Sequence, residues 1–320
     1  MFYIYNLYCH ILYIMSDFNR NLFLKPQTNQ YGRHMVMTDV SKSDKTMYIN
    51  IDTKFRDEYN DKQTNNNHSD LLANQTETAN YNISLPGSIN GVKSFSITNA
   101  EIPMSFYNVS ANLGNNYFKI DNTTYSVADN NYIDSGLSSA INGSLTNIIF
   151  TVNNYNQTTI LNDTGSNIVI HFDINNDGVH DKFRFKSKLG WLLGFRKTTY
   201  TIAGGDTLTS EGVSNLNGSK YLYLAIDDFN RGSQNSFISP LFDSIVNKNI
   251  IARIALNKKD FDFGTIYPTS VYDGNLISDK RVYNGATDIQ KLNVQLLNDD
   301  GLPIILNGLD FSFCMEIEYE

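Results

Sequence analysis

The segment from residue 309 to residue 319 alternates apolar and polar side chains at every second position. Its apolar positions are Leu309, Phe311, Phe313, Met315, Ile317 and Tyr319, and its polar positions are Asp310, Ser312, Glu316 and Glu318. This period of two is typical of a β-strand with one face in a core and the other in water. The pattern therefore predicts that the C-terminal region contains a half-buried antiparallel strand.

A second alternating run precedes this segment, and turn residues separate the two. In this run Leu292, Val294 and Leu296 would point inward. The sequence Asn-Asp-Asp-Gly at 298–301 has the chemistry of a turn, and Asn-Gly at 307–308 favours another turn just before the final strand. The C-terminal region therefore predicts two strands of a sheet.

Strand-like runs bordered by Gly, Asn and Asp recur through the chain. They lie at residues 47–52, 82–85, 92–98, 117–120, 124–127, 148–152, 167–172, 221–227 and 249–256. One helix is predicted at 134–145, with Asp134 or Ser135 as its cap. Its apolar face would carry Leu137, Ala140 and Ile141. Many short strands with few helices predict an all-β sandwich or jelly roll.

Five stretches of the sequence, in order, carry a family resemblance. They are YINIDTKFRD (48–57), ITNAEIPMSFYNVS (97–110), LGWLLGF (189–195), YLYLAIDDFN (221–230) and the C-terminal region 288–320. The combination resembles minor capsid or penton-type proteins of giant viruses, the nucleocytoplasmic large DNA viruses. The resemblance implies a jelly roll and supplies no catalytic residues. We therefore expect an all-β, jelly-roll-type antiparallel β-sandwich with one short helix and an extended N-terminal arm.

The N-terminal 45 residues differ in character from the rest. Residues 1–15 are strongly apolar, but they lack the basic start of a signal peptide and are shorter than the ~20 residues of a bilayer-spanning helix. We interpret residues 1–14 as an upstream extension, with contact to an inner membrane as the alternative. Residues 16–45 are polar and aperiodic, which predicts a flexible arm. The body would be 46–320, with an inserted β subdomain around 115–220 left open.

Charge and cysteine usage exclude several classes of protein. The net charge is −8, and residues 1–46 carry five basic and three acidic side chains, so they hold +2 and the remainder holds −10. An acidic body is poorly suited to bind the phosphates of nucleic acid. The two cysteines, Cys9 and Cys314, exclude a disulfide framework and fit assembly in a reducing cytoplasm.

One segment matches the start of a calcium-binding loop. Asp173, Asn175, Asp177 and Asp181 have the spacing of the D-x-N-x-D-G type. Arg184 stands at the twelfth position, where such loops need a bidentate glutamate, and the flanks are strand-like. We therefore prefer a plain β-hairpin without metal and keep the calcium loop as the alternative.

The preferred hairpin would turn at Asp177-Gly178. It would pair Phe172 with Phe183 on one face and Asp173 with Lys182 on the other. The same register sets His171 opposite Arg184 and His180 opposite Asn175. The two histidines would not converge, so a zinc site is not expected.

Two further features could suggest ligand chemistry. The apolar knot at 189–195 contains the single tryptophan, Trp191, and we interpret it as a core plug with a carbohydrate-binding aromatic as the alternative. Asp227 and Asp228 are adjacent on a strand, so they point to opposite faces and form a poor catalytic pair. No G-x-S-x-G, P-loop or dinucleotide fingerprint is present. We expect no enzyme activity, no catalytic residues and no cofactor.

These patterns and the resemblance lead to a functional hypothesis. We expect a virion structural protein, a minor capsid or vertex (penton-like) component that acts in capsid assembly in the host cytoplasm. Its partners would be the major capsid protein and other capsid subunits, including copies of itself, which would form a pentamer at a vertex. No specific nucleic acid is expected. The alternative is a lectin-like β-sandwich attachment module on the virion surface.

Overall fold

The computed structural model describes residues 44–57, 79–230, 238–241, 249–256 and 262–320. The predicted N-terminal extension and arm, with Cys9, therefore lie outside the described residues except for positions 44 and 45. Most of the polar stretch between the first two predicted strands lies outside them as well.

Antiparallel β-strands dominate the described residues, and this confirms the all-β prediction. The strands are β1 Lys45–Asp52, β2 Asn80–Pro103, β3 Tyr117–Ile120, β4 Thr123–Ser126, β5 Ile148–Val152, β6 Thr158–Asn162, β7 Ile168–His171, β8 Thr199–Ile202, β9 Thr207–Thr209, β10 Tyr221–Asp227, β11 Ile250–Ala255, β12 Ile266–Ser270, β13 Leu276–Ser278, β14 Arg281–Leu297 and β15 Ser312–Tyr319. The helices are α1 Asp134–Asn142, α2 Leu189–Leu192 and 3-10 turns at Thr53–Phe55 and Lys182–Ser187.

The long strand β2 organises the largest sheet. The strand order is β1-β15-β2-β14-β10-β11-β13, and β12 also pairs with β2. The sequence predicted two separate strands at 82–85 and 92–98, but the structure joins them in one strand of 24 residues. Gly91 has φ 71°, and the pairing of β2 with β14 shifts register at several points. These irregularities interrupt the regular hydrogen-bond pattern, but the strand continues through them. Such bulges bend and twist long strands, which lets this sheet curl around a core.

The first core lies against this sheet and contains most of the predicted C-terminal apolar face. Phe311, Phe313, Met315 and Ile317 are at most 2% exposed, and Leu292, Val294 and Leu296 are at most 1% exposed. Both predicted C-terminal strands exist, and they flank β2 on opposite sides. Leu309 was wrongly placed on the inward face, and it is 44% exposed. It follows the Asn-Gly turn, where both turn residues have positive φ, and β15 begins only at residue 312.

Two smaller sheets enclose a second core. Their orders are β4-β3-β7-β8 and β5-β6-β9, so their strands fall between residues 117 and 209. The two cores and curled sheets form the sandwich-like arrangement expected of a jelly-roll-type fold. Residues 46–319 form one compact unit. The division into a body and an inserted subdomain stays a prediction.

Helix α1 begins where it was predicted and buries the predicted apolar face in the second core, but it ends at Asn142 instead of residue 145, and its N-terminus is not capped as predicted. Leu137 and Ile141 are fully buried on one face, and Ala140 packs beside them. Ile133 is the N-cap residue, and no side chain caps the helix. Asp134 lies inside the first turn, where its carboxylate accepts a hydrogen bond from the Ser214 hydroxyl at 2.5 Å. In the described ranges no helix is both long and apolar enough to cross a bilayer.

Candidate functional site

The chain reverses direction in a tight loop just after β7. The Asn175 N–H donates to the Val179 carbonyl at 2.8 Å, and the Gly178 N–H donates to the Asn175 carbonyl at 3.0 Å. The Asn175 side-chain oxygen also accepts from the N–H groups of Asp177 and Val179, both at 3.0 Å. Gly178 has φ 72°, a conformation that glycine adopts without strain. This is a three-residue loop of the kind that ends in a left-handed residue.

The predicted register of this hairpin was wrong. Ile174 bridges His180, and the Asp181 N–H donates to the Asp173 carbonyl, whereas the prediction paired residue 173 with residue 182. The observed loop contains Asn176 in addition to the predicted Asp177 and Gly178, and this third residue shifts the pairing by one position. The predicted return strand is also absent from this described segment, since Lys182–Ser187 form a 3-10 helix.

The structure brings His171, Asp173 and His180 together, so the prediction that the histidines do not converge was also wrong. The rings of His171 and His180 meet edge to face with centroids 5.2 Å apart. The His180 Nδ1 atom lies 3.1 Å from Asp173 Oδ1. One ligand atom from each of the three residues lies within 4.8 Å of the other two. Convergence is possible because β7 ends at His171 and the chain folds back at once instead of continuing a ladder.

The three side chains differ widely in their exposure to solvent. The Asp173 side chain is 2% exposed and the His180 side chain is 51% exposed. His171 is half-buried, and its Nδ1 contacts Thr199 Oγ1 at 3.1 Å. Burial, and next the charge of His180, lower the pKa of His171, and Lys119 acts in the same direction. The His171 imidazole is therefore biased toward its neutral form, which is the form that binds metal ions.

The calcium-loop candidate is not assembled as its spacing suggested. Among the described residues, His171, Asp173 and His180 are the one group of three or more His, Cys, Asp or Glu side chains close enough to share an ion. Asp177 is exposed, Asp181 pairs with Lys188 at 3.1 Å, and the Asn175 oxygen is held by backbone N–H groups. Only Asp173 of the four predicted residues takes part in the observed cluster.

The adjacent residues Asp227 and Asp228 have different surroundings. Asp228 is 5% exposed, and its carboxylate accepts a hydrogen bond from the buried Tyr283 hydroxyl. Asp227 is partly exposed and accepts the N–H of Phe229 at 2.9 Å. The two carboxylates therefore differ in burial and in partners, and the expectation that they form a poor catalytic pair stays a prediction.

Asp228 belongs instead to a buried charge network around Arg281. Arg281 is 1% exposed and lies 3.9 Å from Asp228. Its two terminal nitrogens donate to the carbonyls of Ile226 at 2.8 Å and Asn249 at 3.1 Å, while Nε has no hydrogen-bond partner among the described residues. Burial lowers the pKa of Arg281, and the nearby Asp228 opposes this effect. No sequence pattern indicates this network, because Asp228 and Arg281 are about fifty residues apart and neither belongs to a recognisable motif.

The apolar knot at 189–195 is a core plug, as predicted. Leu189, Leu193 and Phe195 are at most 1% exposed, and the Phe195 ring stacks on Phe172 with centroids 4.9 Å apart. Trp191 lies at the margin of this core, where the Arg196 guanidinium sits 4.2 Å from its ring centroid. One face of the indole is therefore already occupied.

A cleft of about 470 Å³ in the described surface combines polar and aromatic side chains. Tyr132 and Phe263 line it together with the amides of Asn131, Asn215 and Asn217. Its size falls in the range of small-molecule sites.

Comparison with known proteins identifies no family. No protein-family model matches the chain, and no curated protein matches it. Among solved structures, the chain is similar to the penton protein of mavirus, with a TM-score of 0.38 and 10% sequence identity. The similarity covers 87% of this chain and 100% of the penton chain. A TM-score of 0.38 is too low to establish that the two chains share a fold.

Proposed function

We propose that this protein is a structural component of a virion. It acts in capsid assembly through protein–protein contacts, as a minor capsid or vertex (penton-like) subunit. One observation carries this proposal. Four of the five stretches that resemble giant-virus capsid proteins contribute to β1, β2, β10, β14 and β15, which are five consecutive strands of one sheet. Most of the sequence that carries the resemblance therefore lies in one sheet of the fold.

The edge of this sheet is suited to contact with a second copy of the chain. Among the described strands β1 is terminal, and an edge strand offers unpaired backbone groups to a neighbouring chain. Tyr48 on β1 is 65% exposed, and Tyr272, in the turn after β12, is 93% exposed. The charge of Glu316 is the main cause that raises the pKa of Tyr48, and Tyr272 lies near enough to contribute in the same direction. Exposed tyrosines are enriched in protein interfaces.

Partners follow from the role in assembly. The protein joins copies of itself in a closed ring, fivefold at a vertex, and the ring contacts the major capsid protein. The acidic body is complementary to basic surfaces and favours protein contacts over nucleic acid.

The experiment is co-assembly with the major capsid protein of the same virion. Purified chain is mixed with that protein, and co-sedimentation is measured for the wild type and for the double variant Tyr48→Ser, Tyr272→Ser. We expect the wild type to co-sediment and the double variant to be depleted. Tyr155→Ser is the matched control, since Tyr155 is 79% exposed in a different turn. Absence of the wild type from the assemblies would refute the proposed role.

A lectin-like attachment module is the second candidate. The cleft beside Tyr132 and Phe263 favours it, because a concave site that combines aromatic rings with amides can hold a small polar ligand such as a sugar. A glycan array tests this candidate. Binding that Tyr132→Ala abolishes would support it, and an array without signal would reject it.

A further inference from the structure

We propose that His171, Asp173 and His180 bind a divalent first-row transition-metal ion of the zinc class. Two imidazoles and one carboxylate form a donor set that suits zinc and its neighbours. Calcium needs about six to eight oxygen ligands, and this cluster supplies a single carboxylate. The site lies at the end of β7 and is independent of the proposed role in assembly.

The spacing of the donor atoms is close to what such an ion requires. Bonds of about 2.0–2.1 Å in a tetrahedron set neighbouring ligand atoms about 3.3 Å apart. The His180 nitrogen and the Asp173 oxygen already lie 3.1 Å apart. All ligand atoms of the cluster lie within 4.8 Å of one another, so ligation requires them to approach by at most about 1.5 Å. The half-exposed His180 side chain has the freedom to make this movement.

The surroundings hold two of the three donors in place. The buried Asp173 carboxylate can turn little, and a buried carboxylate is stable only beside a compensating charge or hydrogen bond. Thr199 occupies Nδ1 of His171, which leaves Nε2 as the nitrogen available to a metal.

The ion would join the loop to the sheet. His171 ends β7 and His180 lies on the far side of the loop, so a shared metal would tie these two points together. With three protein ligands the fourth position remains open on the side of the exposed His180, where water can complete the tetrahedron.

The test uses the full chain after removal of metal with a chelator. Calorimetric titration with Zn²⁺ should show one ion bound per chain, and Co²⁺ should give the visible absorption of a tetrahedral site. Loss of a residue that hydrogen-bonds a metal ligand typically lowers metal affinity about 10- to 100-fold, and loss of the ligand itself should lower it at least as much. His180→Ala should therefore weaken Zn²⁺ binding by at least about 10- to 100-fold. The exposed position of residue 180 favours retention of the fold in this variant, which circular dichroism checks. His171→Ala gives a second, independent loss of a ligand.

Asp177→Ala is the matched control, since it removes an exposed carboxylate from the same loop without touching the cluster. Its affinity for Zn²⁺ should equal that of the wild type. Wild-type protein that binds no Zn²⁺ would overturn the proposal. Zn²⁺ binding that survives both histidine substitutions would also overturn it, because the ion would then sit elsewhere, for example on His10, His34 or His68. Calcium binding that Asp177→Ala abolishes would replace it with an oxygen-ligand site.

Discussion

Replacement of Asp228 by asparagine would leave the guanidinium of Arg281 in the protein interior without its counter-charge. The two side chains are 0% and 1% exposed and lie 3.9 Å apart. Asparagine keeps the shape of the side chain and an oxygen that can still accept the hydrogen bond of Tyr283. The substitution therefore removes the charge with little change in packing.

The expected loss of stability follows from the burial of the pair. Removal of one partner of a buried ion pair typically costs about 3–5 kcal/mol, since it leaves an uncompensated charge. Two observations place the expected loss for Asp228→Asn near the lower end of this range. The pair is long at 3.9 Å, and the carbonyls of Ile226 and Asn249 still accept hydrogen bonds from the guanidinium. We expect a loss of about 3 kcal/mol in the free energy of unfolding.

Urea unfolding followed by circular dichroism measures this loss, with Asp227→Asn as the matched control. The control makes the same substitution one residue earlier, at a partly exposed side chain, and should change stability by no more than about 0.5 kcal/mol. The variant Arg281→Met should cost less in the Asp228→Asn background than in the wild type, with a coupling of about 0.5–3 kcal/mol. Equal effects of the two asparagine variants would refute the reasoning.

Three further predictions concern the two cores and the pH dependence of stability. Phe313→Ala should cost about 3–5 kcal/mol in urea unfolding, and Glu316→Ala, on the opposite face of β15, about 0.5 kcal/mol; equal losses would contradict the register. Gly190→Ala should destabilise by about 1–3 kcal/mol, because its methyl group would overlap the buried ring of Phe172, and this outweighs the usual helical gain of about 0.5–1 kcal/mol. Burial, and next a hydrogen bond to a carboxylate, raise the pKa of Tyr200 from 10.0 to about 12. The folded state therefore favours the protonated phenol, so the stability difference between wild type and Tyr200→Phe should be intact below pH 10 and shrink toward pH 12; a constant difference would contradict this cause.

Strands with strong apolar content were the predictable part of the fold. β10, β11 and β15 combine branched or aromatic residues with burial on at least one face, so composition and period both identify them. The sequence analysis missed β6, β8, β9, β12 and β13, which are all at most five residues long. The residues that flank these strands have the composition of turns. The strands can therefore be recognised only from their pairing with neighbouring strands.

The candidate site was less predictable than the fold. Of the calcium-like motif only Asp173 belongs to the observed cluster, and the spacing did not indicate His171 and His180 as its neighbours. Which side chains meet depends on one left-handed residue, Gly178, and on the end of β7 at His171. Arg281 follows β13, which pairs with β11, and β11 pairs in turn with β10, so its contact with Asp228 depends on long-range pairing that local patterns do not report.

Native mass spectrometry of the chain that lacks residues 1–14 tests the central claim most directly. A capsid subunit should form a discrete closed oligomer, and a vertex subunit should have five times the mass of the chain. The same ring should gain mass in defined steps when the major capsid protein is added. A monomer at every concentration, with no complex formed on addition of that protein, would contradict the account.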